Sequence, residues 1–429
     1  MKKGKMSWKP IVSFFMALAL AAALAGCSGG GQTSAPAQST AESVPSKVVE
    51  LTFWSLFTGD DGVTMNQIVQ KFNDEHPNIR VTHIAMEAMS DLYVKLPMVA
   101  GNDAQAPELA VVWNTFIPYL VAKNSIQPID IAADNYPVLA DENFVNPEMV
   151  RYNGERYGVM LDFPSVTLWG NKDLIEKYCP EILEDEVVTW EEVFSLGDTL
   201  KEQGVIDQIK PVACDWAMND IEQNLLAAGK NYSQDGVNLS MTEQDVADAI
   251  RNWKELNDKG YFMPEGADAF GMFSQGQCVF CSGGTWSLNT VKEYGVNYIE
   301  LPPIQYSADN VVTNAVAHSF VLPQRSYTDE QRNAVGTFID WFEQNAILWA
   351  QAGSIVANKA VQGSDEFQVL PQALVSRKAT FVSPNYIYVS ICEDTLNNYA
   401  WQPVYGHISV DDYAKAVISK ITSQVEAQQ

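Results

Sequence analysis

The sequence predicts an α/β protein of two domains. Strand-like and helix-like segments alternate from residue 48 onward, several helices carry explicit start signals, and about 380 residues remain behind an N-terminal leader, more than one ordinary core accommodates.

The elements follow in order. Residues 48–54 (Val-Val-Glu-Leu-Thr-Phe-Trp) are β-branched and aromatic, the composition of a strand. Residues 55–61 form a loop with Gly59 and two candidate N-caps, Asp60 and Asp61. Met65, Ile68, Val69 and Phe72 then share one helical face. That helix is expected to stop before Pro77, because the residue ahead of a proline disfavours helical geometry. A strand is expected at 78–86, a helix at 91–101 despite Pro97, and a third strand at 108–113. Thr189-Trp-Glu-Glu192 is a capping box. Thr242 to Asp245 caps a helix carrying Val246, Ile250 and Trp253, which ends at Gly260. Thr328 to Gln331 opens another, with Val335, Phe338, Ile339 and Phe342 inward. Strand–helix–strand at this rhythm predicts an open, mostly parallel sheet covered on both faces.

The first residues set the address. Lys2, Lys3, Lys5 and Lys9 precede an apolar run at 11–25, the order of a secretory signal peptide. The run is short for a membrane span, which needs about 20 apolar residues. Leu24-Ala25-Gly26-Cys27 looks like a bacterial lipobox, which implies a signal peptide over 1–26 and diacylation of Cys27. Two or more acyl chains anchor stably where one does not. Apart from Cys27, Glu42 and Val44, residues 27–46 are Gly, Ser, Thr, Ala, Gln and Pro, too poor in hydrophobes to fold, and read as a flexible tether.

Composition narrows the partners. Losing the four leader lysines takes the formal charge of −26 to about −30. This disfavours nucleic acid and acidic ligands. Five cysteines follow Cys27: Cys179, Cys214, Cys278, Cys281 and Cys392, an odd number that cannot pair completely. Cys278 and Cys281 have redox or zinc spacing, but they fall in a strand, where positions three apart face opposite sides. Neither a second pair nor a neighbouring His completes a metal site, so both read as small buried hydrophobes. No metal and no cofactor is expected.

In open α/β sheets ligands sit outside the carboxyl ends of the strands. That rule selects Trp54, with Phe57, Asp60 and Asp61 in the loop after it. It also selects Trp113 and Asn114, Asp215 and Trp216 after the apolar segment 211–214, and Trp286 after Gly283-Gly284-Thr285. An indole can carry the C–H face of a sugar ring, and Asp, Asn or Glu can hold its hydroxyls. Any one of these Trp could equally pack into the core. Within 47–429 the sequence shows no Gly-x-Ser-x-Gly elbow, no His-Glu-x-x-His and no Walker-type loop, and the four His are scattered. A glycosidase pair among 53 acidic residues is not excluded by sequence.

Several segments together resemble the family 1 extracellular solute-binding proteins, the sugar-binding subunits of ABC importers. They are Leu51-Thr-Phe-Trp54 with the stretch from Phe72 to Val81, and Tyr93 to Leu96 through Ala100-Gly101 to Ala106-Pro107-Glu108. Tyr152 to Gly158 leading to Leu168 through Leu174, and Phe273 to Gly276 leading to Gly283-Gly-Thr-Trp286, complete the set. Pro107-Glu108 departs from the family's usual Pro-Asp.

The resemblance implies a type II periplasmic-binding-protein-like fold of two α/β lobes joined by hinge strands, with a ligand cleft between them. It divides the chain into 47–160 plus 304–352 and 161–303 plus 353–429. It implies Trp54 and Trp286 as stacking platforms and Asp162 as a hydroxyl binder, with His318 beside the return crossing. The glycines before Trp286 have a physical use in letting backbone approach the ligand closely. The expected function is capture of a sugar by lobe closure and delivery to a membrane permease, by a monomer anchored on the extracellular face. The alternatives are a non-sugar solute (a polyamine, peptide or metal complex), a secreted carbohydrate-active enzyme, and a sensor subunit.

Overall fold

The structure, a computed structural model, describes residues 48–87, 89–129, 135–215 and 217–428. The signal peptide, Cys27 and the tether lie outside the described residues, as does Trp216.

Two sheets organise the chain. The larger has the strand order Ile355–Val356, Gly158–Phe163, His318–Pro323, Leu109–Trp113, Val49–Ser55, Ile79–Ala85, with Ile126–Gln127 paired beside the end of His318–Pro323. The smaller has the order Tyr298–Leu301, Val166–Asn171, Cys278–Gly284, Lys210–Cys214. The opening units are as the sequence predicts: Val49–Ser55 pairs in parallel with both Ile79–Ala85 and Leu109–Trp113.

Beyond these units the sheets are mixed: Cys278–Gly284 is parallel to Lys210–Cys214, but the other pairings within the two sheets are antiparallel, against the expectation of a mostly parallel sheet. His318–Pro323 runs antiparallel to Leu109–Trp113 and to Gly158–Phe163, and Val166–Asn171 is antiparallel to both its neighbours. A helix crossover forces parallel neighbours only when it joins them within one sheet. These strands instead arrive from the other sheet, entering from the opposite end. The chain leaves the larger sheet after Phe163 and enters the smaller at Val166, a few residues beyond Met160. It returns through Val312–Asn314, which pairs in parallel with Thr380–Val382.

Local signals set the helix boundaries. Thr189, Thr242 and Thr328 each accept from the backbone N–H three residues on, and the Glu192, Asp245 and Gln331 side chains answer back, closing all three capping boxes. Helix Gly59–Glu75 ends before Pro77 and buries Met65, Ile68, Val69 and Phe72. Its N-cap is Thr58, so Asp60 and Asp61 are not the caps the sequence suggested. They lie in the first turn, where the helix dipole favours a carboxylate.

Phe53, Phe320, Phe338 and Phe342 interlock beneath the larger sheet, with ring centroids 5.2–6.5 Å apart. Trp190 meets Trp253 edge-on at 4.9 Å below the smaller one. All five described cysteines are buried and none is in a disulfide, and burial pushes Cys179 up to about 12. Strand Cys278–Gly284 is buried throughout, so Cys278 and Cys281 pack as small hydrophobes.

Candidate ligand cleft

Strand pairing builds the first cluster of candidate residues. His318 stands opposite Asp162 in the antiparallel pair. Asp162 Oδ1 lies 2.7 Å from His318 Nδ1, and Asp162 Oδ2 accepts the Trp349 indole N–H at 2.6 Å. Phe57 closes over both, edge-on to His318 at 4.9 Å and 4.8 Å from Trp349. Trp113 lies 6.5 Å from His318, and its indole N–H is buried without a protein partner. Asp61 is half-buried beside them; burial pushes its carboxyl up to about 6, raised further by Asp162 and lowered by His318. Phe57, Asp61, Trp113, Asp162 and His318 are thus brought together. Asp162, however, is only 1 % exposed and both its oxygens are engaged within the protein. It orients His318 and Trp349 at the seam of the crossing strands.

A hollow of about 700 Å³ opens where loops around the two sheets meet. Asn114 and Thr115 enter it from the end of strand Leu109–Trp113, Met149 and Tyr152 from one wall, Asp235 and Val237 from another. Phe381 through Tyr386 supply a third, and Glu148 and Arg151 also line it. Asn114 is held by the Ala317 N–H on its side-chain oxygen (2.7 Å) and donates to Ser383 Oγ at 3.5 Å. Asn231 fastens the 383–385 turn by donating to Ser383 O and accepting from Asn385 N. Asp235 collects the N–H groups of Val237 and Asn238, which hold its carboxyl well below the ordinary range. Arg151 is the only Lys or Arg in this lining, and Asp141 ties up its guanidinium. Behind the wall, Glu222 accepts from Tyr232 and from Asn314 (2.9 Å), and burial lifts its carboxyl to about 7.

The remaining candidates sit elsewhere. Trp54 is half-buried in the sheet one residue before the strand end, and Asp60 is exposed. Trp286 is half-buried in the turn after strand Cys278–Gly284. A Cβ on Gly284 would come within 2.2 Å of its ring, so this glycine makes room for Trp286 itself and not for a ligand. Asp215 accepts the Ala269 N–H at 3.0 and 3.1 Å, which holds the start of helix Ala269–Ser274. Of the sequence-selected residues, only Asn114 lines the 700 Å³ hollow.

The reading of strand ends missed the 381–386 segment. Its signal was present as Ser-Pro-Asn turn chemistry followed by Tyr386 and Tyr388. Among the described residues, no group of three or more His, Cys, Asp or Glu could hold a metal, and no helix is long and apolar enough to cross a membrane.

Two α/β lobes joined by crossing strands, with a solute-sized hollow at the seam, define a type II binding protein. The chain belongs to the bacterial extracellular solute-binding protein family, whose sequence profile matches residues 67–374. It is 24 % identical over 324 residues to the sn-glycerol-3-phosphate-binding periplasmic protein UgpB of Shigella dysenteriae serotype 1, covering 71 % of this chain and 73 % of that one. The fold matches the sugar-binding protein MalE from Xanthomonas citri with a TM-score of 0.73 at 14 % identity, over 89 % of this chain and 98 % of that one. It also matches the cyclic alpha-maltosyl-1,6-maltose binding protein from Arthrobacter globiformis with a TM-score of 0.68 at 19 % identity, over 88 % and 98 %.

Proposed function

We propose that this protein captures an uncharged sugar or oligosaccharide and hands it to an ABC permease, by binding without chemistry. The observation that carries the ligand class is the lining of the 700 Å³ hollow: aromatic and amide side chains, with a single guanidinium already neutralised by Asp141. A phosphate ester such as the ligand named for UgpB needs a free cation or a bidentate arginine. This lining offers Asp235 and Glu148 instead. Sugar hydroxyls suit amides, carboxylates and the Tyr386 and Tyr152 rings. The sugar-binding neighbours in fold agree with this choice.

We take the lobes as 47–160 with 304–352 and 161–303 with 353–429. This division follows sheet membership except at the seam, where Leu161 to Phe163 and Ile355–Val356 lie in the larger sheet. A ligand touching both lobes selects the closed form. Asn114, Trp113 and the Asp162–His318 pair serve the first lobe's side, with Phe57 and Asp61 above that pair. Trp286, on the second lobe, and Trp54 are further stacking surfaces. We place the monomer on the extracellular face of the membrane, acylated at Cys27 and free to reach along its tether.

The test is calorimetric titration of the soluble protein from Lys47 onward. Neutral di- to heptasaccharides are the positive arm, and sn-glycerol-3-phosphate, polyamines and peptides the others. A sugar that binds and loses affinity in Tyr386→Ala supports the reading; binding of the phosphate ester alone sinks it, and turnover of any sugar sinks the binding-only view. For the anchor, Cys27→Ser in the full chain is expected to release the protein into the medium. Retention of that variant on the membrane would refute acylation as the tether.

A further inference from the structure

A second hollow, of about 470 Å³, lies on the flank of the smaller sheet beyond the end of helix Val389–Tyr399. Trp401 and Tyr405 form one side, Ala217, Met263 and Ala400 the floor, and Asn397, Gln402, Glu265 and His407 the rim. Trp401 is rigidly seated, edge-on to Trp253 at 5.9 Å and 5.4 Å from Phe262, yet remains half-exposed. Tyr405 is pinned by its hydroxyl, which donates to Met263 O at 3.3 Å.

The rim groups divide into engaged and idle. His407 Nε2 lies 2.7 Å from Glu265 Oε1, and Asp215 is committed to Ala269. The side-chain amides of Asn397 and Gln402 are exposed and make no hydrogen bond, nor does the Trp401 indole N–H. No Lys or Arg lines the hollow. A fixed indole beside idle amides, in a concave and uncharged-ligand setting, offers what a sugar ring needs: an apolar face for its C–H groups and donors and acceptors for its hydroxyls.

We infer that this hollow is a second saccharide site, holding the far end of a neutral oligosaccharide whose near end occupies the main cleft. The inference rests on the sugar reading above. Tyr386, just before helix Val389–Tyr399, lines the main cleft, and Asn397, Ala400 and Trp401 at its other end line the second hollow. Eleven helical residues separate the two by about 16 Å, so a short sugar fills one and only a longer chain reaches both.

The experiment titrates a ladder of neutral malto- and xylo-oligosaccharides, from disaccharide to heptasaccharide, into wild type, Gln402→Ala, Asn397→Ala and Trp401→Phe. Trp401→Phe keeps a ring against Trp253, and the two amide variants are exposed and leave the core intact, so a melting curve identifies any variant that has lost its fold. Wild-type affinity is expected to rise with chain length and then level off. Each variant is expected to lose about three- to tenfold for the longest sugars and to stay within about twofold for the shortest. Losses equal at every length, or no loss at any, overturn the second site while leaving the cleft reading in place. If no sugar binds wild type at all, the cleft reading itself fails and this inference falls with it.

Discussion

Asp162 shows how a residue selected for the ligand is also held by the protein. The resemblance assigns it to sugar hydroxyls, but cross-strand register sets it opposite His318, and the packing of Trp349 takes its second oxygen. A buried carboxylate with two such bonds is a structural anchor, since hydrogen bonds to a charged group contribute about 1.5–3 kcal/mol each. Asp162→Ala is therefore expected to destabilise by about 3 kcal/mol or more, seen as a lower urea midpoint with an unchanged slope. A midpoint within a few tenths of a molar of wild type would show that the cluster is not holding the crossing strands. Gly284 carries a similar lesson: its missing side chain is filled by Trp286, a relation invisible in the sequence because it depends on the turn after the strand.

At the scale of single elements the sequence was mostly legible. Three threonine capping boxes lie where they were expected, because a cap uses only residues three apart in the chain. Thr189→Ala is expected to cost about 1 kcal/mol, because it removes the hydroxyl that accepts from the Glu192 N–H and donates to the Glu192 carboxylate. Thermal melts measure this, and Thr189→Ser is expected to recover most of the loss. An alanine variant as stable as wild type would mean that tertiary packing fixes this helix start without the cap. The first helix went differently, its start moving to Gly59 with Thr58 ahead of it. Neither of its carboxylates caps, because Thr58, with extended backbone, holds the N-cap position and both acids fall inside the first turn.

For the whole molecule, buried acids make stability depend on pH. Glu300 is 1 % exposed, and its burial pushes its carboxyl up to about 8, eased slightly by Lys292; Glu222 sits at about 7 and Asp220 at about 6. The folded state thus holds protons that the unfolded chain releases near 4.3. These groups contribute stability that is fully present below the unfolded value and is lost as pH rises through the folded one. His83, lowered by burial to about 4, has the opposite slope, but only between about 4 and 6.5. From pH 6.5 to 8 the carboxyl slope stands alone, at up to about 1.4 kcal/mol per pH unit for each group still titrating. The melting temperature is expected to fall over that window, and Glu300→Gln to flatten the fall and melt higher at pH 8. A melting temperature that rises with pH there would contradict this account.

What the sequence determined by itself is whatever depends on near neighbours in the chain. This covers the opening strand–helix–strand units, the capping boxes, the stop before Pro77, the burial of Cys278 and Cys281 as small hydrophobes and, through motif order, the family. What only the tertiary structure decided is whatever depends on strands from distant segments lying side by side. The antiparallel crossings, the burial of Asp162 against His318 and Trp349, and the gathering of Asn114 with residues 381–386 around one hollow all required pairings between segments more than about 100 residues apart. A side-chain period says which face of an element is apolar, but not which partner arrives to cover it. For that reason most of the predicted strand-end residues lie near the crossing strands or in the walls, while the hollow itself is lined largely by a turn that sequence periodicity passes over.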